Sequence, residues 1–273
     1  MAAPDRVTDL SPGGDVGDHV WYHTIELPDG VVTPGEYDTR VALRRIPFPA
    51  DLSGQRCLDV GTHDGFWAFE MERRGAGEVV AIDLDDAREV DFSDPVPAWT
   101  AERAADRDAR PLAFAYAHRA LRSRVERRDL SVYRLADAEP SVGEFDFAFV
   151  GTLLLHLRDP PRALSAIRQV LKPGGTLLVN DAISLTMTLW HPRRAYHHLQ
   201  VLPGKPFWWL PNRAGLARYV EKAALTVTGS GGPYLIPRGP GYARAAPDQP
   251  NPLRRALHGR GMIHGWVTAR RTV

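Results

Sequence analysis

The sequence predicts an α/β fold, a doubly wound and mostly parallel sheet with helices on both faces. Three observations lead there. Apolar runs of strand length alternate with stretches of helical spacing along most of the 273 residues. A strand, a glycine-bearing loop, a helix and a second strand follow one another over residues 56–83, the pattern of a right-handed βαβ unit. The composition, 44% hydrophobic and 25% charged, suits one large α/β core with some elaboration.

The elements are read in order. Residues 1–18 are rich in Pro, Gly and Asp without a period and are expected to fray. Residues 21–32 (WYHTIELPDGVV) mix aromatic and β-branched side chains, Thr33-Pro34-Gly35 turns the chain, and residues 37–46 read as a short helix. Residues 1–50 are therefore expected to form a cap on a main domain of residues 51–273. Residues 56–60 are strand one, followed by the loop from Gly61 to Gly65. A helix carrying Phe66, Trp67, Phe69 and Met71 ends at Gly75 and Gly77, and residues 78–83 are strand two. Residues 132–135 and 145–150 are read as strands three and four. Asp159 and Pro160 suit an N-cap and first turn, and Ala163, Leu164, Ile167, Val170 and Leu171 keep helical spacing. Lys172-Pro173-Gly174-Gly175 stops that helix before strand five at 176–179. Asn212 can cap a helix through Val220 and Ala224, and residues 225–227 and 262–268 read as a last, antiparallel pair. Segments 86–128 and 183–211 break the rhythm. They read either as insertions that build a lid and acceptor site or as plain decoration.

Composition narrows the classes. Net charge is +1, so no global field draws the chain to nucleic acid or an anionic membrane. The single cysteine, Cys57, points to a reducing compartment. No run has the length of a membrane span, and the start lacks the layout of a signal peptide, so a cytoplasmic chain is expected. Lysine occurs only at 172, 205 and 222, which reads as coding bias. Arg119, Arg122, Arg124, Arg127 and Arg128 crowd a stretch read as helical that can track phosphates, but Glu126 and Asp129 interleave as on a solvated face. Nucleic acid and membrane are not the expected partners; a small molecule is, with the chain as monomer or homodimer.

The decisive stretch is Leu58-Asp59-Val60-Gly61-Thr62-His63-Asp64-Gly65. Glycine lets a ligand approach the backbone closely. The G-x-G-x-x-G dinucleotide fingerprint is absent, since the middle glycine is missing. An acid two residues before the first glycine sits badly beside a pyrophosphate and suits a ligand with a positive end. Asp83 can take both ribose hydroxyls, and Asp137, after the expected third strand, an adenine amino group. These acids describe a nucleoside with cationic groups and no phosphate; the plainer reading of Asp59 and Asp83 is strand-end acids that cap turns.

Together, D-x-G-x-x-x-G, the acids after strands two and three, and K-P-G-G before strand five resemble the class I S-adenosylmethionine-dependent methyltransferases over residues 52–182. The resemblance implies a Rossmann-like sheet of seven strands. It also implies S-adenosylmethionine held by Asp59, Gly61, Thr62, His63, Gly65, Asp83, Leu84, Asp137 and Ala138, with Gly151 near the sulfonium and Tyr37 over the methionine moiety. A narrower likeness rests on Trp21-Tyr22-His23 with Thr33-Pro34-Gly35, on residues 151–160 (GTLLLHLRDP) and on residues 207–212 (FWWLPN). These are similar to the bacterial tRNA wobble-uridine carboxymethyltransferase group. Where that group has a tyrosine that helps hold the extra carboxylate of carboxy-S-adenosylmethionine, this chain has Leu155 before His156. The group's long amino-terminal domain is not expected in this protein. The expectation is a relative that uses the ordinary donor.

A base is needed only when the nucleophile must lose a proton, and neutral histidine suits that role. His156, after strand four, is the first candidate; its plain reading is a turn histidine. His23, His63, His197 and His198 compete. The acceptor-binding set is read as His23, Trp190, His197, His198, Phe207 and Trp208, because pockets are mostly aromatic-lined; core packing under a long loop is the alternative. At most one of His197 and His198 would face the pocket. Gly151-Thr152 stands where a metal-assisted reaction wants an acid, so no metal is expected. The expected activity is methyl transfer to a hydroxyl or amine of a small, partly aromatic or apolar metabolite, with secondary metabolism as one setting. The alternatives are a tRNA-modifying methyl- or carboxymethyltransferase and a catalytically inactive donor-binding or scaffold protein.

Overall fold

Side chains alternate across a strand, and a strand covered by helices on both sides is apolar on both. That rule sets the centre of this fold in the computed structural model, which describes residues 14–85, 89, 91, 110–200, 207–242 and 259–272. In chain order the elements are β1 (Arg56–Val60), α1 (Phe66–Arg73), β2 (Glu78–Asp83), α2 (Arg110–Leu121), β3 (Glu126–Asp129), β4 (Phe145–Gly151), α3 (Pro160–Val170) and β5 (Leu171–Ala182). They continue with α4 (Leu185–Trp190), β6 (His197–Leu199), β7 (Trp209–Pro211), α5 (Arg213–Lys222), β8 (Thr226–Pro237) and β9 (Gly261–Arg270). Seven strands form one sheet in the order β3-β2-β1-β4-β5-β9-β8, and β6 and β7 form a small antiparallel pair. The first five run parallel, and β9 and β8 close the far edge antiparallel. The Rossmann-like, mostly parallel seven-stranded sheet is thus the observed architecture.

Leu58, Val60, Val80, Ile82, Ala148, Val150, Leu177 and Val179 face one cluster, which α3 closes with Leu164 and Ile167 and α5 with Leu216 and Val220. Cys57, Val79, Ala81, Phe147, Phe149 and Leu178 face the other, under α1, α2 and Trp21, Ile25, Tyr37 and Phe48 of the leading segment. That segment has short 3-10 turns and isolated bridges in place of strands. The helix expected over 37–46 is a 3-10 turn, Thr39–Arg44. A strap joins this segment to the far side of the chain: Asp38 N donates to Pro237 O at 3.0 Å, Gly239 N to Glu36 O at 2.8 Å and Gly241 N to Gly35 O at 3.0 Å.

Register brings the strand tips to one edge. Val60 lies opposite Ile82 and Val150, Asp83 opposite Asp129, and Gly151 opposite Asn180. Strand three is not where the apolar signal placed it. Residues 132–135 lie in a 3-10 turn (Val132–Asp137) whose Val132 and Leu135 bury in the first cluster, while the strand is the charged Glu126–Asp129. An edge strand tolerates charge that a central one does not. Of the frayed opening, residues 1–13 lie outside the described residues, as do 86–88, 90 and 92–109 of the segment 86–128. The rest of that segment includes α2 and β3. The arginine crowd does not share one helix: Arg119 is on α2, Arg122 sits in a turn at φ +52, and Arg127 and Arg128 are on β3. Arg127 is buried, 2.6 Å from Asp85, and Arg128 meets Glu126 at 2.6 Å. Among the described residues no helix is long and apolar enough to cross a membrane.

Phe149 is fully buried, with the Trp67 ring 4.2 Å and the Phe48 ring 5.6 Å from its own. Phe149→Ala is expected to cost about 3–5 kcal/mol. Denaturant unfolding followed by circular dichroism measures this; a loss under 1 kcal/mol would mean that this cluster does not hold the leading segment to the sheet.

Candidate active site

The loop after β1 turns through three left-handed residues, Gly61 at φ +79, His63 at +53 and Gly65 at +92. A Cβ on Gly65 would come within 2.3 Å of the Phe69 ring and 2.9 Å of Phe114, so only glycine fits there. His63 occupies the position where the sequence lacks its middle glycine; histidine is among the residues that tolerate such a φ. Two backbone bonds tie the loop to the next strand, Gly61 N and Thr62 N both donating to Ile82 O. His63 N donates to Asp83 Oδ2 at 2.7 Å, and Leu84 N to Asp83 Oδ1 at 2.8 Å.

Two loop acids have opposite fates. Asp64 is fully buried and fully engaged. Its Oδ2 accepts Tyr22 N and His23 N, each at 2.8 Å, and its Oδ1 pairs with His23 Nδ1. Asp59 is equally buried, yet neither of its oxygens closes a hydrogen bond, and the Thr62 hydroxyl beside it is also without a partner. Burial pushes Asp59 up to about 7; Thr62, His23 and Ala68 N lie near enough to pull it down, and Asp83 adds to the rise. A buried carboxylate with no donor is costly, and such a group is a mark of a ligand site.

The lock at Asp64 builds an aromatic wall over the loop. The Tyr22 ring lies 5.1 Å from Tyr37 and 5.0 Å from His63, and His23 stacks on Phe66 at 5.5 Å. The Arg238 guanidinium covers the Tyr37 ring at 4.3 Å and meets Glu36 at 2.7 Å. His23 is therefore buried between Asp64 and Phe66, inside the wall rather than on its open side.

Across the edge, Gly151 lies so close to Phe149 that a Cβ would sit 2.4 Å from its ring. Thr152 N donates to Asn180 O, and the Thr152 hydroxyl lies 3.0 Å from His264 Nε2. Asp181, pushed by burial up to about 7, accepts Leu153 N, Leu154 N and Ala182 N and so caps the 3-10 turn Leu154–His156. His156 is partly exposed, its ring 5.2 Å from Phe207. Trp208 is pinned over the same turn, its N donating to Leu155 O, its indole to Asp91 O, and Arg158 lying 4.7 Å above its ring.

The remaining acceptor-set residues do not gather here. Trp190 is 74% exposed. His197 and His198 lie on a strand rather than a helix, and alternation turns them opposite ways. His197 reaches Gly215 O at 3.0 Å and the Tyr219 ring at 4.3 Å, while His198 is exposed beside Gln200. Asn212, which caps α5, also donates to His191 O and Arg194 O and fixes this stretch. Asp137 is exposed at the end of its 3-10 turn, with Ala138 buried behind it. The acid at the strand edge beside Asp83 is Asp129, whose Oδ1 accepts Asp85 N at 3.0 Å. Sequence reasoning passed over it because β3 carries no apolar run. It also passed over Asp64, which lies within the loop itself, and Arg238, Tyr234 and His264, which the fold alone brings near. Among the described residues no group of three or more His, Cys, Asp or Glu is placed to hold a metal ion.

The chain is similar to several methyltransferases. A tRNA U34 carboxymethyltransferase from Azotobacter vinelandii is 26% identical over 200 residues, 71% of this chain and 52% of that protein. A ubiquinone biosynthesis O-methyltransferase from Methylococcus capsulatus is 26% identical over 159 residues, 58% of this chain and 55% of that one. The chain thus spans about half the length of the curated relatives it matches. Phosphoethanolamine N-methyltransferase 2 from Haemonchus contortus, solved with S-adenosyl-L-methionine, shares the fold, with a TM-score of 0.50 and 15% identity over 90% of this chain and 55% of that one. The methyltransferase domain family matches residues 35–228, well over half of the chain. The chain belongs to that methyltransferase-domain family.

Proposed function

We propose that this enzyme moves a methyl group to a hydroxyl or amine of a small, partly apolar acceptor. The observation that carries the donor half of this reading is the buried, unpartnered carboxylate of Asp59 beneath a left-handed glycine loop. The donor is S-adenosylmethionine, and the residues present fit it. Asp83, at the tip of β2, accepts His63 N and Leu84 N, and a carboxylate at that place suits ribose hydroxyls. Asp129, at the strand edge, stands better placed for the adenine side than exposed Asp137. Gly61 and Gly151 admit close backbone approach, and the partly exposed Tyr22 ring suits a cationic group. When bound, the donor supplies a methyl group activated by its sulfonium, leaving as a neutral thioether. The chain's own work is alignment and exclusion of water. His156, partly exposed in the turn after β4, is the candidate base for an acceptor that must lose a proton. Phe207 and Trp208 stand beside it as acceptor contacts.

A small acceptor is favoured over RNA because the arginines of 119–128 divide among a helix, a turn and three ion pairs, so they offer no continuous phosphate track. The likeness to a tRNA U34 carboxymethyltransferase supports the second reading, tRNA modification. With labelled methyl donor, the label is expected in the small-molecule fraction of a cell extract and at background in bulk tRNA, with rates nearly unchanged between about 50 and 200 mM salt. Label in tRNA, falling steeply with salt, would reverse the choice.

A second outcome follows from Asp59, raised to about 7 in the free protein. A cationic donor favours its carboxylate, so binding expels a proton. Donor affinity is expected to rise about tenfold from pH 6 to pH 8, with about half a proton released at pH 7. Calorimetry in two buffers of different ionisation enthalpy measures both. In the folded free protein this acid holds a proton that the unfolded chain has lost between about pH 4 and 7, so its contribution to stability is present at low pH and lost as pH rises through 7. Asp59→Asn is therefore expected to raise Tm more at pH 8 than at pH 5 and to reduce the proton release.

A further inference from the structure

We propose that Thr152 and His264 form a one-way hydrogen-bond relay that makes the site select acceptors presenting an O–H or N–H donor. The proposal rests on the methyl-transfer reading for what the cleft holds; the relay's direction rests on the hydrogen-bond geometry and the burial of His264.

His264, on β9, is buried to 1% exposure, and its Nδ1 lies 3.0 Å from Met262 O. A carbonyl oxygen only accepts, so Nδ1 carries a hydrogen. In a neutral ring Nε2 is then a bare acceptor, and the Thr152 hydroxyl 3.0 Å away must donate to it. Burial holds His264 far below its ordinary value, at about 4, so the ring is neutral at pH 7. The hydroxyl's single proton is thereby spent, and only lone pairs remain on Thr152 Oγ1. Thr152 is partly exposed, whereas Asn180, Asp181 and His264 behind it are buried.

Three features hold Thr152 in this pose. It stands directly after Gly151 at the ligand edge of β4, with its N bonded to Asn180 O at 2.8 Å. Its φ of +51 is an outlier for a β-branched residue, a strain of the kind kept at functional sites. Tyr234 OH donates to Asn180 Oδ1 and so fixes the residue whose carbonyl receives Thr152 N.

The order of donors therefore runs from acceptor X–H to Thr152, to His264, to the Met262 carbonyl. An ether, carbonyl or carboxylate oxygen in the same place would set lone pair against lone pair. The relay also separates substrate from product. When an acceptor hydroxyl gains the methyl, a C–O bond forms, the donor's C–S bond breaks, and the hydroxyl proton gives up its bond to Thr152 Oγ1 and passes to His156. The resulting ether has no hydrogen left to give Thr152.

Two measurements test this. Ring nitrogen NMR at pH 7, with the His264 signals assigned by their loss in His264→Gln, is expected to show a protonated Nδ1 and a bare Nε2. A protonated Nε2 overturns the relay, whether or not any donor binds. In the second, protein saturated with S-adenosylhomocysteine is titrated with phenol and with anisole, which differ by one donor. Phenol is expected to bind about tenfold tighter to wild type and to Thr152→Ser, and with a ratio near one to Thr152→Val, which keeps the β-branch and the backbone strain. An unchanged ratio in Thr152→Val, no preference in wild type, or no phenol binding overturns the proposal. Failure of S-adenosylhomocysteine to bind wild type would instead sink the methyl-transfer reading.

Discussion

The interaction on which the site depends is the buried carboxylate of Asp64 against the leading segment. Two backbone N–H groups and an imidazole converge on it in the interior. A buried carboxylate is tolerable only with such partners, and removing one member of a buried pair costs about 3–5 kcal/mol. The gain is placement. The lock sets Tyr22 against Tyr37 and His63 and lays the leading segment over the glycine loop. Five residues away in the sequence, Asp59 is as deeply buried and has no such partners. One acid holds the wall and the other leaves an unmet demand beneath it, and the contrast gives the loop its polarity.

The parallel half of the fold was legible because its strands are central. Residues 56–60, 78–83 and 145–150 bury both faces, so their apolar runs stand out from the sequence around them. The helix after Asp159 was legible through its cap and its apolar spacing, and Asn212 through its capping chemistry. Strand three was not, because an edge strand carries its charge outward: Glu-Arg-Arg-Asp has no hydrophobic signature, while Val132 and Leu135 bury from a 3-10 turn and imitate a strand. That one misplacement drew the reading to Asp137, whereas the acid opposite Asp83 in the register is Asp129.

The site was legible only where it is local. D-x-G-x-x-x-G lies within one loop, and the structure keeps Asp59, Gly61, Gly65 and Asp83 around it. The other residues become neighbours through the sheet. Thr152 meets His264 because β5 separates β4 from β9, and His264 lies opposite Ala182 in the register. No spacing rule announces a contact between residues 112 positions apart. His197 and His198 were misread for a related reason. Their neighbours in space are Gly215, Tyr219 and Gln200, so β6 turns one inward and one outward, neither to the strand tips.

The strap between residues 35–38 and 237–241 bears on how the molecule comes into being. Arg238 lies over Tyr37 and holds Glu36, a pairing across 202 positions. Contacts of such separation are slow to form, because the chain must close a very large loop before they reward it. On a ribosome the glycine loop and its neighbouring strands can assemble well before Arg238 is made, leaving the aromatic wall unbraced until most of the chain has emerged. The catalytic mouth would then mature last, and a prematurely terminated chain would carry the nucleoside half without its cover.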